Sequence, residues 1–196
     1  CVLAALAALV GLGLRWGVKK RVCAFLCAVF VLLTGAGYAA LDQDVVRVAA
    51  VGPANQPSLV VTQGLHTAVL FRGTAGTAED VQEYLAQNNR STVDLLLDLR
   101  READDTAALQ AAFAARQAVC VEQEVQNRIV LRPFYGIIVT AGREEKGCYA
   151  AVNADGYSFA LAAGHVDFGA CTPFSVFFSG AGTPENLRCS AVLTGN

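Results

Sequence analysis

Methionine is absent from this chain of 196 residues, and histidine occurs only twice, as His66 and His165. Charge is also scarce: 16% of residues are charged against 54% hydrophobic, where soluble domains carry about 25% charged residues. Residues 1–41 contain no acidic residue at all and only four basic ones, Arg15, Lys19, Lys20 and Arg21. The other 11 basic residues and all 17 acidic ones fall in 42–196, which leaves that stretch at a formal −6. An acidic body with a single lysine, Lys146, excludes the clustered cations that phosphate-backbone recognition requires, so no nucleic-acid partner is expected. The absence of methionine, with Cys1 in first place, is expected of a chain that starts upstream or has been processed.

Motifs are missing too. No Gly-x-Gly-x-x-Gly follows a strand pattern, and there is no P-loop, no Gly-x-Ser-x-Gly elbow and no Cys-x-x-Cys. A zinc site could draw on His66, His165 and two cysteines, but structural zinc ligands pair two to four residues apart and no such pair occurs in the body. Asp104-Asp105 reads as a helix cap and Glu144-Glu145 as a solvated turn, not as a calcium loop. No cofactor and no metal are therefore expected.

The long apolar runs that are present lie at the N-terminus. Residues 22–41 carry no charge, are preceded by Lys19, Lys20 and Arg21, and are followed by Asp42 and Asp44. Twenty residues of helix cover about 30 Å, the thickness of a bilayer core. The expectation is a membrane anchor, with a cleaved signal peptide as the alternative. The basic flank would stay cytoplasmic and place residues 42–196 on the extracellular, periplasmic or lumenal side. Residues 1–14 are uncharged but too short to span, and read as part of a first helix joined by a basic loop at 15–21.

The body, 42–196, reads as an α+β domain: a mixed β-sheet with about two helices and C-terminal hairpins. Thr77 with Glu79 and Asp80 marks one helix start. Val93, Leu95, Leu97 and Leu99 alternate with Asp94 and Asp98 as a strand. Asp104–Thr106 opens an Ala-rich helix over 107–118, strands begin at Val119, and Asn153–Gly156 is a hairpin connection. Phe174, Val176, Phe177 and Phe178 suit a central strand covered on both faces.

Four cysteines in the body, Cys120, Cys148, Cys171 and Cys189, suggest two disulfides if the body is outside, the local pairing being Cys120 with Cys148 and Cys171 with Cys189. Asn89-Arg90-Ser91 is a glycosylation sequon, which would make the chain a glycoprotein. The most suggestive chemical patch is Gly164-His165-Val166-Asp167, because a histidine oriented by a carboxylate is how a general base is built; Cys171 or Ser175 could serve it as a nucleophile.

The leading expectation from these features is a non-enzymatic, membrane-anchored structural subunit, partnered by the lipid bilayer and other membrane subunits through protein–protein contacts. The alternatives are a receptor-like ligand-binding ectodomain and an anchored hydrolase using His165 and Asp167.

Overall fold

A computed structural model describes residues 20–100, 105–168, 173–179 and 186–194. The chain divides into two compact units, Cys1–Val45 and Val46–Asn196.

In the first unit, helix α1 spans Lys20–Asp42. Its described side chains, apart from Val22, run over 26–37, and the last four of these are Thr34, Gly35, Ala36 and Gly37. The Thr34 hydroxyl turns back onto the Phe30 carbonyl at 2.9 Å. Among the described residues no helix is long and apolar enough to cross a membrane. The spanning helix expected at 22–41 is corrected accordingly: the described residues of Lys20–Asp42 supply no such span. The placement of 42–196 on the non-cytoplasmic side rested on that helix and falls with it. The partial helix at 1–14 and most of the loop at 15–21 lie outside the described residues.

The second unit holds two sheets, not the single mixed sheet expected. The first comprises β1 (Val46–Val51), β2 (Ser58–Gln63), β3 (His66–Phe71), β4 (Val93–Asp98) and β5 (Ala115–Cys120), in that spatial order. β1, β2 and β3 pair antiparallel, while β3, β4 and β5 run parallel. Parallel neighbours need crossovers, and these carry helices α2 (Ala75–Gln87) and α3 (Thr106–Ala112). A single-turn helix α4 (Val121–Glu124) follows β5. The second sheet comprises β6 (Arg128–Leu131), β7 (Ile137–Glu144), β8 (Gly147–Ala154), β9 (Tyr157–Gly164), β10 (Phe174–Ser179) and β11 (Cys189–Thr194). β6 to β9 form antiparallel hairpins. β9, β10 and β11 are mutually parallel, so the chain ends on parallel strands instead of the hairpins expected there.

Burial explains the layering. Leu59, Val61, Leu70, Leu95 and Leu97 of the first sheet meet Val139, Ala150, Val152, Leu161 and Phe178 of the second in one core. On the other face of the first sheet, Val60, Val69, Phe71 and Leu96 pack against Val81, Leu85 and Leu109 of α2 and α3. β2, β3 and β4 are therefore buried on both faces, which is why they read as continuous apolar runs. The outer face of the second sheet is covered by Phe168, whose ring makes edge contacts with Tyr149, Phe174 and Phe177 at 5.4–5.7 Å.

Two boundaries differ from the sequence reading. α2 starts one turn before Thr77, with Thr74 as its N-cap residue. The Ala-rich segment 107–118 splits, because Ala114 takes a left-handed φ of 46° that ends the helix and releases Ala115–Cys120 to pair with β4.

Candidate functional site

In parallel sheets the carboxyl ends of the strands are where side chains and backbone groups can converge on a ligand. Here β3, β4 and β5 end at Phe71, Asp98 and Cys120. The residue after β3, Arg72, crosses to the second sheet: its Nη1 donates to the Ala162 carbonyl of β9 at 2.5 Å and faces the Phe178 carbonyl of β10 at 3.5 Å. From the end of β5, Glu122 accepts a bond from the Cys148 thiol at 3.3 Å and pairs with Arg143 at 3.2 Å. The strand ends of both sheets thus meet along one edge of the sandwich.

Asp98 is the best-held charge on this edge. Its carboxylate is fully buried and accepts from the Arg100 backbone N–H at 3.1 Å, from Arg100 Nε at 3.0 Å, from Arg100 Nη2 at 2.8 Å and from the Thr106 hydroxyl at 2.9 Å. Arg100 Nη2 also reaches Asp105 at 2.6 Å, and its guanidinium lies 5.2 Å above the Phe71 ring. These bonds hold the Arg100 guanidinium well above its ordinary pKa and pull the Asp105 carboxyl below the usual carboxylate range, with the Arg100 hydrogen bond as the first cause.

Along the same edge a groove of about 730 Å³ is lined by Gln126, Asn127, Arg143, Glu144, Glu145, Lys146, His165 and Asp167. Two of these are the residues singled out in the sequence. His165 follows β9, and its backbone N–H donates to the Lys146 carbonyl at 2.9 Å across the Gly147–Gly164 pair that opens the β8–β9 ladder. Gly164 sits at φ +82°, and a Cβ there would collide with the Lys146 carbonyl, so the turn that presents His165 requires glycine. The Asp167 backbone N–H donates to Glu144 at 2.8 Å, while its carboxylate accepts from Asn186 at 2.8 Å. Every residue of the lining carries a polar or charged group. Arg143 is fixed at its mouth by the Glu122 carbonyl at 2.6 Å.

The remaining candidates are not brought together there. Ser175 is engaged with Ser158 in reciprocal side-chain-to-backbone bonds of 3.0 Å, which removes it as a nucleophile. Cys171 lies outside the described residues. Asn89 is exposed just after α2, at φ 54°. Cys120, Cys148 and Cys189 are free thiols, which corrects the expected disulfides at the described positions. Cys148 is fully buried with its thiol spent on Glu122, and burial, seconded by that carboxylate, pushes it up to about 12. Arg72, Asp98 and Arg100 escaped the sequence reading; an Arg two residues past a buried Asp at a strand end was the one local sign.

No family model matches the sequence, and no curated protein matches it. Solved structures do. A mutant of the HARLDQ-motif metallo-β-lactamase of Cronobacter sakazakii aligns with a TM-score of 0.51 at 14% identity, covering 68% of this chain and 76% of that one. The unmutated-motif enzyme from the same organism aligns at 0.46 and 16% identity, covering 58% of each chain, and the metallo-β-lactamase MIM-1 from Novosphingobium pentaromativorans aligns at 0.46 and 14%, covering 61% of this chain and 58% of that one. The chain thus spans a little over half the length of these last two. The alignment at 0.51 establishes the fold. The expectation of a non-enzymatic structural subunit is corrected by this likeness to a protein titled a metallo-β-lactamase.

The fold raises the question of a metal, and the described residues do not fit one. His66 stands at the start of β3, bonded to Asp94 at 3.1 Å and stacked on Phe134. It is about 16 Å, one strand length at ~3.3 Å per residue, from the edge where His165 lies. Among the described residues no group of three or more His, Cys, Asp or Glu could hold a metal ion. The carboxylates of Asp98, at the end of β4, and Asp105, the N-cap residue of α3, already have a cation between them, the Arg100 guanidinium. The unit Val46–Asn196 is a sandwich of the metallo-β-lactamase fold in which Arg100 spans the carboxylates of Asp98 and Asp105.

Proposed function

We propose that the sandwich is a hydrolase that works in the His165 groove without a metal. The observation that carries the reading is the convergence of a histidine with two cations, Lys146 and Arg143, and three carboxylates, Glu144, Glu145 and Asp167, in one open groove on a fold used by hydrolases. The chemistry is general-base hydrolysis. The His165 imidazole takes the proton of a water as its oxygen bonds the carbonyl carbon or the phosphorus, Lys146 and Arg143 stabilise the negative charge that develops on the carbonyl or phosphoryl oxygen, and the imidazolium returns the proton to the alcohol or amine that leaves as the scissile bond breaks. Arg143 needs no reorganisation for this role, because Glu122 already fixes its guanidinium. With Ser175 engaged elsewhere, water is the nucleophile.

The test is hydrolysis of chromogenic carboxylic esters, phosphodiesters and lactams by the full chain, beside His165→Ala, with and without a chelator. The reading expects turnover that survives chelation and falls about 10²–10⁴-fold in His165→Ala, with the melting temperature unchanged. Turnover abolished by the chelator, equal turnover in His165→Ala, or none on any substrate would overturn it.

A further inference from the structure

Arg72 carries a charge that meets no carboxylate among the described residues and that the proposed hydrolysis does not use. Its residue is 8% exposed, and its backbone N–H is tied to the Ser58 hydroxyl at 3.2 Å. Nη1 is spent on the carbonyls of Ala162 and Phe178. Nε and Nη2 are buried and have no hydrogen-bond partner. Arg72 makes no ion pair with any carboxylate among the described residues, and burial alone lowers its pKa to about 10. Burying an unpaired cation is costly, and each orphaned donor adds to that cost. Such a group is retained where something pairs with it.

The neighbouring strand shows what pairs with this edge of a guanidinium. Arg100, at the end of β4, uses its Nε and Nη2 to grip the two oxygens of the Asp98 carboxylate at 3.0 and 2.8 Å. These are the same two donors that stand idle in Arg72, one strand over, at the end of β3. Side-on, they present a planar fork matched to two oxygens of a carboxylate or phosphate. The position, at the carboxyl ends of parallel strands, is where this class of sheet receives ligands.

We propose that Arg72 anchors an oxyanion subsite at the carboxyl ends of β3, β9 and β10, taking the phosphate or carboxylate group of a small ligand on Nε and Nη2. The subsite stands on Arg72 alone and does not depend on hydrolysis at His165.

The experiment is a titration of the full chain with inorganic phosphate and, separately, with acetate, followed by the ¹H–¹⁵N resonance of the Arg72 Nε–H and by melting temperature, with sodium chloride as the control. The proposal expects a saturable shift of that resonance and a rise in melting temperature with at least one of the two anions, beyond anything chloride gives. The more effective anion identifies the ligand group as tetrahedral or planar. Arg72→Lys, which keeps the charge but loses the fork, should weaken the apparent affinity roughly tenfold or more. If that variant does not fold, the wild-type resonance decides. An Arg72 Nε–H that ignores both anions, or follows them only as it follows chloride, would overturn the subsite, as would undiminished binding in a folded Arg72→Lys.

Discussion

Replacing Asp98 by alanine tests whether the strand-end arginine cluster holds the sandwich together. The wild-type carboxylate is fully buried and accepts four hydrogen bonds, three from Arg100 and one from Thr106. Breaking a buried ion pair from one side costs about 3–5 kcal/mol, because the remaining charge is left without its partner. Arg100 is not fully stranded, since 18% of its side chain is exposed and Asp105 still lies at 2.6 Å. That lowers the expectation to about 2–3 kcal/mol. In a domain of this size each kcal/mol moves the melting temperature by about 2–4 °C, so the drop should be roughly 4–12 °C. Urea unfolding followed by circular dichroism would give the free energy for Asp98→Ala, Arg100→Ala and the double variant. The pair should couple by about 1–3 kcal/mol in that cycle. A loss under about 0.5 kcal/mol in Asp98→Ala, or additive single variants, would refute the role assigned to the cluster.

Gly164→Ala should destabilise the domain by more than about 1 kcal/mol, measured by urea unfolding, since it puts a Cβ at φ +82° against the Lys146 carbonyl. It should also lower any His165-dependent turnover, because the same turn presents that histidine. Cys148, buried and protonated, should resist alkylation by iodoacetamide at pH 8 in the folded protein and react once urea unfolds it. Its raised pKa also sets a pH window. The unfolded thiol ionises near 9 and the folded one at about 12, so the stability present below pH 9 should be lost as pH rises toward 12. Cys148→Ala should flatten that loss in denaturation curves taken from pH 8 to 11.

What could be read from the sequence was whatever is local. The alternation of Val93, Leu95 and Leu97 marks β4, and Asn153–Gly156 marks the turn between β8 and β9, because a strand's faces and a hairpin's turn are written in adjacent residues. The split into two sheets is not written that way. Runs such as Leu59–Val61 are buried on both faces, and nothing in them says whether the second cover is a helix or another sheet. Alanine was ambiguous at 107–118, where helix propensity favoured one long helix and pairing with β4 took half of it for a strand. The site divides the same way. His165 and Asp167 stand two apart and could be noticed, whereas Arg72 gains its meaning from carbonyls 90 and 106 residues away. The even count of cysteines misled for a related reason: the Cys148 thiol is occupied by Glu122, a partner no spacing rule reveals.

Each sheet is contiguous in the chain, the first within 46–120 and the second within 128–194, and that order has a consequence for birth on the ribosome. The first sheet emerges with the face formed by Leu59, Val61, Leu70, Leu95 and Leu97 ready to be covered, while its cover is still untranslated. At about 5–20 residues per second the second sheet takes roughly 3–13 s to follow. Throughout that interval the nascent chain displays a broad apolar face, so the order of its strands sets how long that face stays uncovered.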